Sequence, residues 1–358
     1  MNIQLINRLE NVRSFVVKNK DLFYVTTDLK ISDNINFSLS DIASKYPGEL
    51  FIIDYLLIWQ DGRGRCAIYD LNKSSLLFSN STDDKEFTFR RIDLLNYGFL
   101  VAKIYVNEIG QLCLFKIGDM TFEKIDYNIT DALNDSHVLI NVDLKEIERI
   151  SLDGLKKWSA TISDKYLDIY NEEKSAVFRQ ILGSYNNILW CSLSSGKLIG
   201  INQISGKFIH EIGYEESDFS IFPYEIKRNE YIPYGKAVQL DAYKGEIVGL
   251  RNNYFIRIDL NQFILKREYI FIKSMDEHKI ESSFSSSIFP MDEKYIYFCD
   301  DRVGKIAIFD RHSLEVVWSY ELDMAHDGIA QILEMEYADN RWYVLDRNYT
   351  LHVFEKQD

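Results

Sequence analysis

The amino-acid sequence predicts an all-β protein made of a repeated antiparallel unit, and three observations support this. Tyr295–Leu322 contains three apolar runs of strand-forming residues, separated by a turn with a glycine and by a polar corner. Tyr55–Asp70 shows the same pattern, aligned without a gap, 240 residues earlier. Helical periodicity is not sustained anywhere, apart from a short turn predicted to begin at Ser40 and to end at Pro47 and Gly48.

Each element of the repeated unit has a physical reason. Tyr295–Cys299 and Ile306–Phe309 are rich in aromatic and β-branched residues, which favour a pleated, half-buried surface. Gly304 lies in the turn between them, where a positive φ is often required. Asp310 ends the second strand, and its carboxylate is suited to accepting backbone N–H groups at the corner that leads to Val316–Tyr320. The same role is predicted for Asp70 and Asp259.

The repeat extends over most of the chain. Weaker copies begin at Phe99, His137, Ile188, Glu246 and Trp342. The turn positions equivalent to Gly64 are then Gly110, Lys145, Gly196, Asn253, Gly304 and Tyr349, with a mean spacing of about 47.5 residues. A period of this length, built of short strands, indicates propeller blades, which bury their faces only by packing on one another. We therefore predict a seven-bladed β-propeller occupying residues 1–358 as one domain.

The two ends of the chain are predicted to meet in one sheet. The last copy stops after its third strand, near Phe354, and needs a fourth strand. The N-terminal segment contains two strand-like runs, Ser14–Val17 and Leu22–Thr26, either of which could supply it. If both runs instead belong to a further blade, the propeller has eight blades, which is the alternative.

Two of the copies carry a resemblance to known families. The stretches SGKLIGINQISGKFIHEIG and RVGKIAIFDRHSLEVVWSY are similar to the repeats of quinoprotein-type and tryptophan-aspartate-repeat propellers. The shared pattern is a glycine, a small apolar strand, an Asp or Asn, a short corner and another apolar strand, and it covers about residues 50–356. The Trp-Asp dipeptide, the Gly-His pair, a secretory signal and vicinal cysteines are absent from the sequence. The resemblance therefore implies architecture and no catalytic residue.

Composition narrows the choice of partners and of compartment. The net charge of −14 argues against binding to nucleic acid or to anionic membranes and favours a basic protein partner. Residues 1–20 lack the apolar block of a signal peptide, and no run approaches the ~20 apolar residues of a membrane span, so a cytoplasmic location is expected. Cysteines at 66, 113, 191 and 299 lack metal-binding spacing and are predicted to be buried thiols in a reducing compartment.

Motifs for catalysis, metal binding or cofactor binding are absent from the sequence. The histidines at 137, 210, 278, 312, 326 and 352 are scattered, and local structural roles are expected for them. His326–Asp327–Gly328 is the best candidate for a site facing the channel of the propeller, although a polar turn explains it as well. The adjacent acids Asp83–Asp84 and Glu215–Glu216 could bind a cation, but they lack the spacing of a calcium loop and are interpreted as solvated surface.

Long connectors between repeats are the places where recognition is expected. The stretch Gly213–Gly235 contains two prolines and interleaves aromatic with acidic residues, and Phe271–Lys294 is a second long connector. Both are predicted to share a face with the turns at Gln60–Arg65 and Asp300–Lys305. Aromatic side chains supply desolvated anchors, while carboxylates meet Lys or Arg on a partner. The predicted partner-binding residues are Tyr214, Glu215, Glu216, Asp218, Phe219, Phe222, Tyr224, Tyr231 and Tyr234; packing of these aromatics on the blade below is the competing interpretation.

These observations predict a non-enzymatic protein-binding propeller without a cofactor or metal, monomeric on its own. The favoured function is a cytoplasmic immunity or inhibitor protein that neutralises a basic toxin or effector domain. One alternative is a hydrolase or lyase with its site at the mouth of the channel, because residues contributed by several blades escape a motif search. Another alternative is a scaffold in a multiprotein assembly.

Overall fold

The structure is a computed structural model of the 358-residue chain. It describes residues 2–32, 35, 48–61, 65–79, 87–90, 99–106, 109–116, 121–126, 129, 131–134, 137–141, 144–167, 172–212, 238–251, 254–269, 272–281, 289–300, 303–322 and 332–357. Within these ranges the regular structure is antiparallel β-strand with a single short helix, which confirms the predicted all-β class.

The strands are numbered in chain order. The first twelve are β1 (Asn2–Leu9), β2 (Val12–Lys18), β3 (Asp21–Thr26), β4 (Gly48–Ile53), β5 (Leu56–Asp61), β6 (Cys66–Asp70), β7 (Ser75–Ser79), β8 (Phe87–Arg90), β9 (Phe99–Val106), β10 (Ile109–Lys116), β11 (Thr121–Lys124) and β12 (Asp131–Asn134). The next thirteen are β13 (His137–Asn141), β14 (Glu146–Ser151), β15 (Lys156–Thr161), β16 (Lys165–Leu167), β17 (Glu173–Ser175), β18 (Phe178–Tyr185), β19 (Ile188–Leu193), β20 (Leu198–Asn202), β21 (Phe208–Ile212), β22 (Val238–Asp241), β23 (Glu246–Arg251), β24 (Tyr254–Asp259) and β25 (Ile264–Tyr269). Helix α1 (Ile272–His278) precedes β26 (Tyr295–Asp300), β27 (Lys305–Asp310), β28 (Glu315–Glu321), β29 (Ile332–Ala338), β30 (Arg341–Asp346) and β31 (Leu351–Gln357).

The chain divides into two compact units, Met1–Val138 with Met324–Asp358 as the first and Leu139–Asp323 as the second. The first unit contains the sheets β4–β7 and β8–β11, the sheet β1-β31-β30-β29 and the hairpin β2–β3. The second unit contains the sheets β18–β21, β22–β25 and β26–β28 and the hairpin β16–β17. The boundary falls within β13, a strand of the sheet β12–β15.

The N-terminal strand completes the C-terminal sheet, as predicted. Strand β1 pairs with β31 from Asn2 opposite Gln357 to Leu9 opposite Leu351. The identity of the strand was predicted wrongly, because the runs Ser14–Val17 and Leu22–Thr26 lie in β2 and β3, which pair with each other. Strand β1 is an outer strand with most of its residues exposed, so its sequence lacks the apolar run by which the candidate strands were chosen.

The hairpin β2–β3 packs between two sheets of the first unit. Strand β2 contacts both β4 and β29. On one side the ring of Phe15 lies 6.0 Å from that of Tyr343, and on the other side Val25 belongs to the same buried cluster as Trp59. The hydroxyl of Ser14 also accepts the backbone N–H of Leu50 at 3.0 Å. The hairpin is therefore an integral part of the core of this unit.

The corner before the last strand of a sheet recurs with the same geometry in four sheets. The carboxylates of Asp70, Asp259 and Asp310 each accept the backbone N–H groups two and three residues further on, which confirms their predicted role. Asn202 does the same with its amide oxygen in the sheet β18–β21. The fifth residue of each corner has a positive φ: Ser74 (50°), Gly206 (72°), Phe263 (58°) and Leu314 (60°).

The predicted turns between the second and third strands are partly confirmed. Gly196, Gly304 and Tyr349 all have a positive φ, of 78°, 65° and 61°. In the copy that begins at His137, the positive φ belongs to Leu144 and not to Lys145, so this turn lies one residue earlier than predicted. A tyrosine at such a position is held by its surroundings, because the Tyr349 N–H donates to the carbonyl oxygen of Asp346 at 3.0 Å.

Helix α1 was missed by the sequence analysis. It has seven residues, which are too few to show a sustained period, and it belongs to the second long connector. Met275 is buried in the core of the sheet β26–β28, and the hydroxyl of Ser274 accepts the N–H of Val316 at 3.0 Å. The helical turn predicted at residues 40–48 lies outside the described residues except for Gly48, which begins β4.

The four cysteines are free and buried, as predicted. Burial raises the pKa of the Cys66 thiol, and the negative charge of Asp61 raises it further. The thiol is therefore protonated and unreactive at neutral pH, because the thiolate is the nucleophilic form.

Candidate functional site

The predicted partner-binding residues lie outside the described residues. This applies to Tyr214, Glu215, Glu216, Asp218, Phe219, Phe222, Tyr224, Tyr231 and Tyr234. Their role stays a prediction. The described strand that leads directly into this segment is β21, which ends at Ile212. The surface around β21 is therefore the nearest part of the chain on which recognition can be examined.

Strand β21 is the outer strand of its sheet and carries a β-bulge. Ile201 pairs with Phe208 and Gly200 with His210, so Ile209 is the extra residue between them. A bulge bends an outer strand and redirects its side chains. Phe208 and Ile209 are 45% and 43% exposed.

Three aromatic rings connect β21 to the neighbouring sheet β22–β25. The His210 ring stacks on Phe263 with centroids 3.8 Å apart, and it lies 5.9 Å from the buried ring of Trp190. Gly200 makes this possible, because a Cβ atom there would lie 3.2 Å from both Trp190 and His210. The stack holds Phe263, which is 40% exposed, at a fixed place beside β21.

A cavity of about 390 Å³ lies on the second unit between the ends of β15 and the strands β20 and β21; we call it the outer groove. Its floor is apolar and buried, formed by Ile162, Leu193 and Ile199. Its lining residues in the described part of the chain are Thr161, Ile162, Ser163, Asp164, Leu193, Ile199, Phe208, Ile209, His210 and Glu211. An apolar floor with a few polar groups is the usual composition of a binding cleft.

The charged groups of the outer groove are two carboxylates and one nearby cation. Glu211 forms an ion pair with Lys197, the residue that precedes β20. The Asp164 carboxylate has no ion-pair partner among the residues described, while its backbone oxygen accepts the N–H of Ala176 at 2.8 Å. The groove thus offers one unneutralised negative charge beside an apolar floor.

Exposed apolar side chains concentrate near this groove. Among the described residues, five large apolar side chains at least 40% exposed lie on β21, on the corners beside it or at the start of β25: Ile204, Phe208, Ile209, Phe263 and Ile264. Single exposed apolar residues are normal on a protein surface, whereas a group of them marks an interaction site. We call these five residues the outer patch.

A second cavity, of about 280 Å³, lies on the first unit. It is bounded by the turn of the hairpin β2–β3 and by the corner between β6 and β7. Its lining is Lys18, Asn19, Asp21, Phe23, Ile35, Tyr55, Tyr69, Leu71, Asn72 and Ser74. We call it the hairpin cavity.

The described histidines have structural surroundings. The Nε2 atom of His352 lies 2.9 Å from a carboxylate oxygen of Asp346, and both side chains are almost fully buried. The Nδ1 atom of His278 lies 3.0 Å from the Ser319 hydroxyl, and burial lowers the pKa of His278. His326–Asp327–Gly328 lies outside the described residues. Within the described ranges, no three His, Cys, Asp or Glu side chains are grouped to hold a metal ion.

The fold is similar to solved β-propellers. BamB from Moraxella catarrhalis superposes with a TM-score of 0.56 at 10% identity, covering 99% of this chain and all of that one. Sqt1 from Saccharomyces cerevisiae superposes with a TM-score of 0.59 at 9% identity, covering both chains completely. The C-terminal WD40 domain of Sif2 gives 0.56 at 11% identity, with 99% of each chain covered. The chain has the β-propeller fold, which confirms the resemblance at the level of architecture.

Comparisons by sequence find no relatives, since no family model and no curated protein matches the chain. Sequence identities near 10% support a similarity of fold and give no information about ligand or activity. Among the residues described, no helix has the length and apolar character needed to cross a bilayer.

Proposed function

We propose that this propeller binds another protein and that the outer groove and the outer patch form part of its recognition surface. The observation that carries the proposal is the concentration of exposed apolar side chains on β21 and its flanking corners, beside a groove with an apolar floor. Interfaces typically place apolar and aromatic anchors at the centre and charged groups at the rim. The chain continues from β21 into the predicted recognition segment at residues 213–235.

The partner that fits this surface is a basic protein. The net charge of −14 favours association with a cationic surface and raises the association rate at low salt. Asp164 lies at the rim of the groove without an ion-pair partner among the described residues, and five acids follow in the segment 213–235. A partner that inserts an apolar side chain onto Ile162 and Leu193 would bring a Lys or Arg to Asp164.

Within this class, the narrower hypothesis is a non-enzymatic, cytoplasmic inhibitor that neutralises a basic toxin or effector domain. Its support is the acidic composition, the rigid scaffold and the absence of catalytic motifs from the sequence. Toxin domains that act on nucleic acids are often basic, so an acidic inhibitor would dock quickly and cover the active cleft.

The number of blades is also a proposal. Seven sheets of three or four strands occur in the described part of the chain, and they would make seven blades if the hairpin β2–β3 were not counted. Strand β2 of the hairpin contacts β4 and β29, just as β22 and β18, which belong to two different sheets of the second unit, contact each other. We therefore infer that the hairpin is a reduced blade and that the alternative of eight blades applies.

Substitution of Ser14 tests whether the hairpin belongs to the core. Ser14→Ala should destabilise the protein by ~1 kcal/mol, because the N–H of Leu50 would lose its acceptor.

The test of the binding proposal is affinity purification from the native host at low salt. Wild-type protein should retain one stoichiometric basic protein, and Phe208→Ala should weaken the purified complex about tenfold or more, as loss of an aromatic anchor does. Leu76→Ala is the matched control, because Leu76 is 40% exposed on β7, an outer strand of another sheet. Equal weakening by both variants would contradict the proposed surface.

Charge reversal tests the predicted recognition segment separately. Changing Glu215, Glu216 and Asp218 to Lys should slow association and reduce its dependence on salt, because fewer charges would steer the partner. An unchanged association rate would show that residues 213–235 do not steer the partner. It would not contradict the proposal for the outer groove. Retention of a metal or a small molecule, with no protein, would favour the enzyme alternative.

A further inference from the structure

The hairpin cavity has the size of a small metabolite. At about 280 Å³ it lies near the lower end of the ~300–1,000 Å³ found for ligand sites, so it suits a molecule as small as one amino acid. Its described lining residues belong to the first unit, whereas those of the outer groove belong to the second.

The buried part of the lining of the hairpin cavity is apolar and aromatic, whereas its exposed lining is mostly polar. Phe23 and Ile35 are 6% and 7% exposed, and Leu71 packs against the same buried cluster. Tyr69 is also almost fully buried, and its hydroxyl has no hydrogen-bond partner among the described residues. Tyr55 is 39% exposed at the edge. An apolar side chain could enter among these residues, and the Tyr69 hydroxyl remains available for a polar atom.

The mouth of the cavity carries one cation and one anion. Lys18 and Asp21 are directly opposite each other at the end of the hairpin β2–β3, which places their Cβ atoms about 5 Å apart. Neither side chain has an ion-pair partner within 4 Å among the residues described. Asn19 and Lys20 both have a positive φ, which defines the tight turn that keeps the two charges side by side. A neighbouring pair of opposite charges is complementary to the carboxylate and ammonium groups of an α-amino acid.

We propose that the hairpin cavity binds a free α-amino acid with an apolar side chain. The Lys18 ammonium pairs with the carboxylate of the ligand, and the Asp21 carboxylate pairs with its ammonium group. The side chain of the ligand lies against Phe23, Tyr69 and Leu71. Binding involves no covalent step and is separate from the proposed partner-binding surface.

The test is calorimetric titration of the full chain with L-phenylalanine, N-acetyl-L-phenylalanine and L-phenylalaninamide. L-phenylalanine should bind saturably, and each derivative should bind about tenfold or more weakly, because each lacks one of the two charges. L-leucine serves as an aliphatic probe, and glycine, which lacks a side chain, should bind most weakly.

Variants assign the two charges. Lys18→Gln should weaken L-phenylalanine about tenfold and leave the amide unaffected, whereas Asp21→Asn should weaken L-phenylalanine and leave the N-acetyl derivative unaffected. Lys20→Gln is the matched control, because Lys20 is an exposed neighbour in the same turn that does not line the cavity. Circular dichroism confirms that each variant is folded.

Two results would overturn the proposal. One is the absence of saturable binding of L-phenylalanine and L-leucine at millimolar concentration by the folded wild-type protein. The other is equal binding of the free amino acid and both derivatives, which would show that Lys18 and Asp21 do not bind the carboxylate and ammonium groups of the ligand. Neither result bears on the protein-binding proposal, which is tested at Phe208.

Discussion

Two corners in the second unit have the same backbone and different chemistry. Asn202–Gly206 follows β20, and Asp310–Leu314 follows β27. In both, the fifth residue has a positive φ and donates its N–H to the carbonyl of the first. In both, an arginine of the preceding sheet donates to the carbonyl of the second residue, Arg149 to Gln203 at 2.6 Å and Arg257 to Arg311 at 3.0 Å.

The difference lies in what surrounds that carbonyl. At the first corner it also accepts the indole N–H of Trp158 at 2.7 Å, so the junction is formed without a carboxylate. At the second corner the residue itself is Arg311, which is 2% exposed and is held by Asp241 at 3.1 Å and Glu246 at 2.9 Å. One fold position thus tolerates a junction without an ion pair and one with an ion pair, and the two should respond to different perturbations. We call the first the neutral corner because the partners of Arg149 there are uncharged, and the second the ionic corner.

The largest effect is expected for Arg311→Met. The substitution leaves Asp241 and Glu246 without their shared cation in a largely buried place, and breaking such a pair costs about 3–5 kcal/mol. Urea denaturation measures the loss. Gln203→Met, the same change at the neutral corner, should cost less than about 1 kcal/mol. Similar losses at both corners would show that the charges do not distinguish the junctions.

A companion variant separates charge from packing. Adding Asp241→Asn and Glu246→Gln to Arg311→Met removes the unpaired charges and should recover a large part of the lost stability, because neutral amides are cheaper to bury than carboxylates. Absence of recovery would place the contribution of Arg311 in its packing.

Next in size is Gly206→Ala at the neutral corner. The new Cβ would lie 2.8 Å from the ring of Trp158, and φ is +72°, so the cost combines crowding with an unfavourable backbone, about 2–3 kcal/mol. Gly183→Ala is the control, since its φ is also positive, at +126°, but its one close neighbour is a terminal methyl group of Leu240 at 3.0 Å, which can move. Thermal denaturation should show a smaller loss for Gly183→Ala.

The sequence predicted the corners well and the junctions not at all. An aspartate at the end of a strand has a local role, and Asp70, Asp259 and Asp310 take that role. The interaction of Arg149 with Gln203 joins residues 54 positions apart, and nothing local marks it. The only sequence signal was that Arg149 and Arg257 are each followed by an isoleucine and then by the last residue of their strand.

The same distinction explains the other outcomes. Strand β1 was missed because an exposed outer strand is recruited by pairing with β31 and not by its own apolar content. The groove beside β21 was missed because its floor combines Ile162, which follows β15, with Ile199 of β20 in another sheet. The predicted recognition residues between Tyr214 and Tyr234 lie outside the described part, so they are tested only by the proposed charge reversals.

A smaller effect is expected for Trp158→Phe. The substitution removes one donor to the Gln203 carbonyl, which keeps its bond to Arg149, so the loss should be about 1 kcal/mol. Urea denaturation at low and high salt is the measurement, and the loss should be the same in both because no ionic group is removed. A salt-dependent loss would contradict the description of this junction as neutral.

The smallest effect concerns pH and compares the two residues that begin the corners. Burial raises the pKa of Asp310, but the N–H groups of His312 and Ser313 and the ammonium of Lys294 outweigh it, so the pKa lies below its ordinary value of 3.8. A carboxyl whose folded pKa is lowered contributes stability above its unfolded pKa and loses it as the pH falls through the folded pKa. Asn202 caps its corner in the same way and does not titrate.

Asp310→Asn should therefore flatten the fall in unfolding free energy below about pH 4, where the ordinary carboxyl begins to protonate, and change little at pH 7. Asn202→Asp should add a fall in the same range, because the new carboxylate would accept the N–H groups of Ile204 and Ser205. The measurement is the urea midpoint from pH 7 to pH 2.5 for both variants and the wild type. If neither variant changed the fall in stability at acid pH, the charge of the first corner residue would make no contribution to the unfolding free energy. The ionic contribution at the second corner would then come from Arg311 alone.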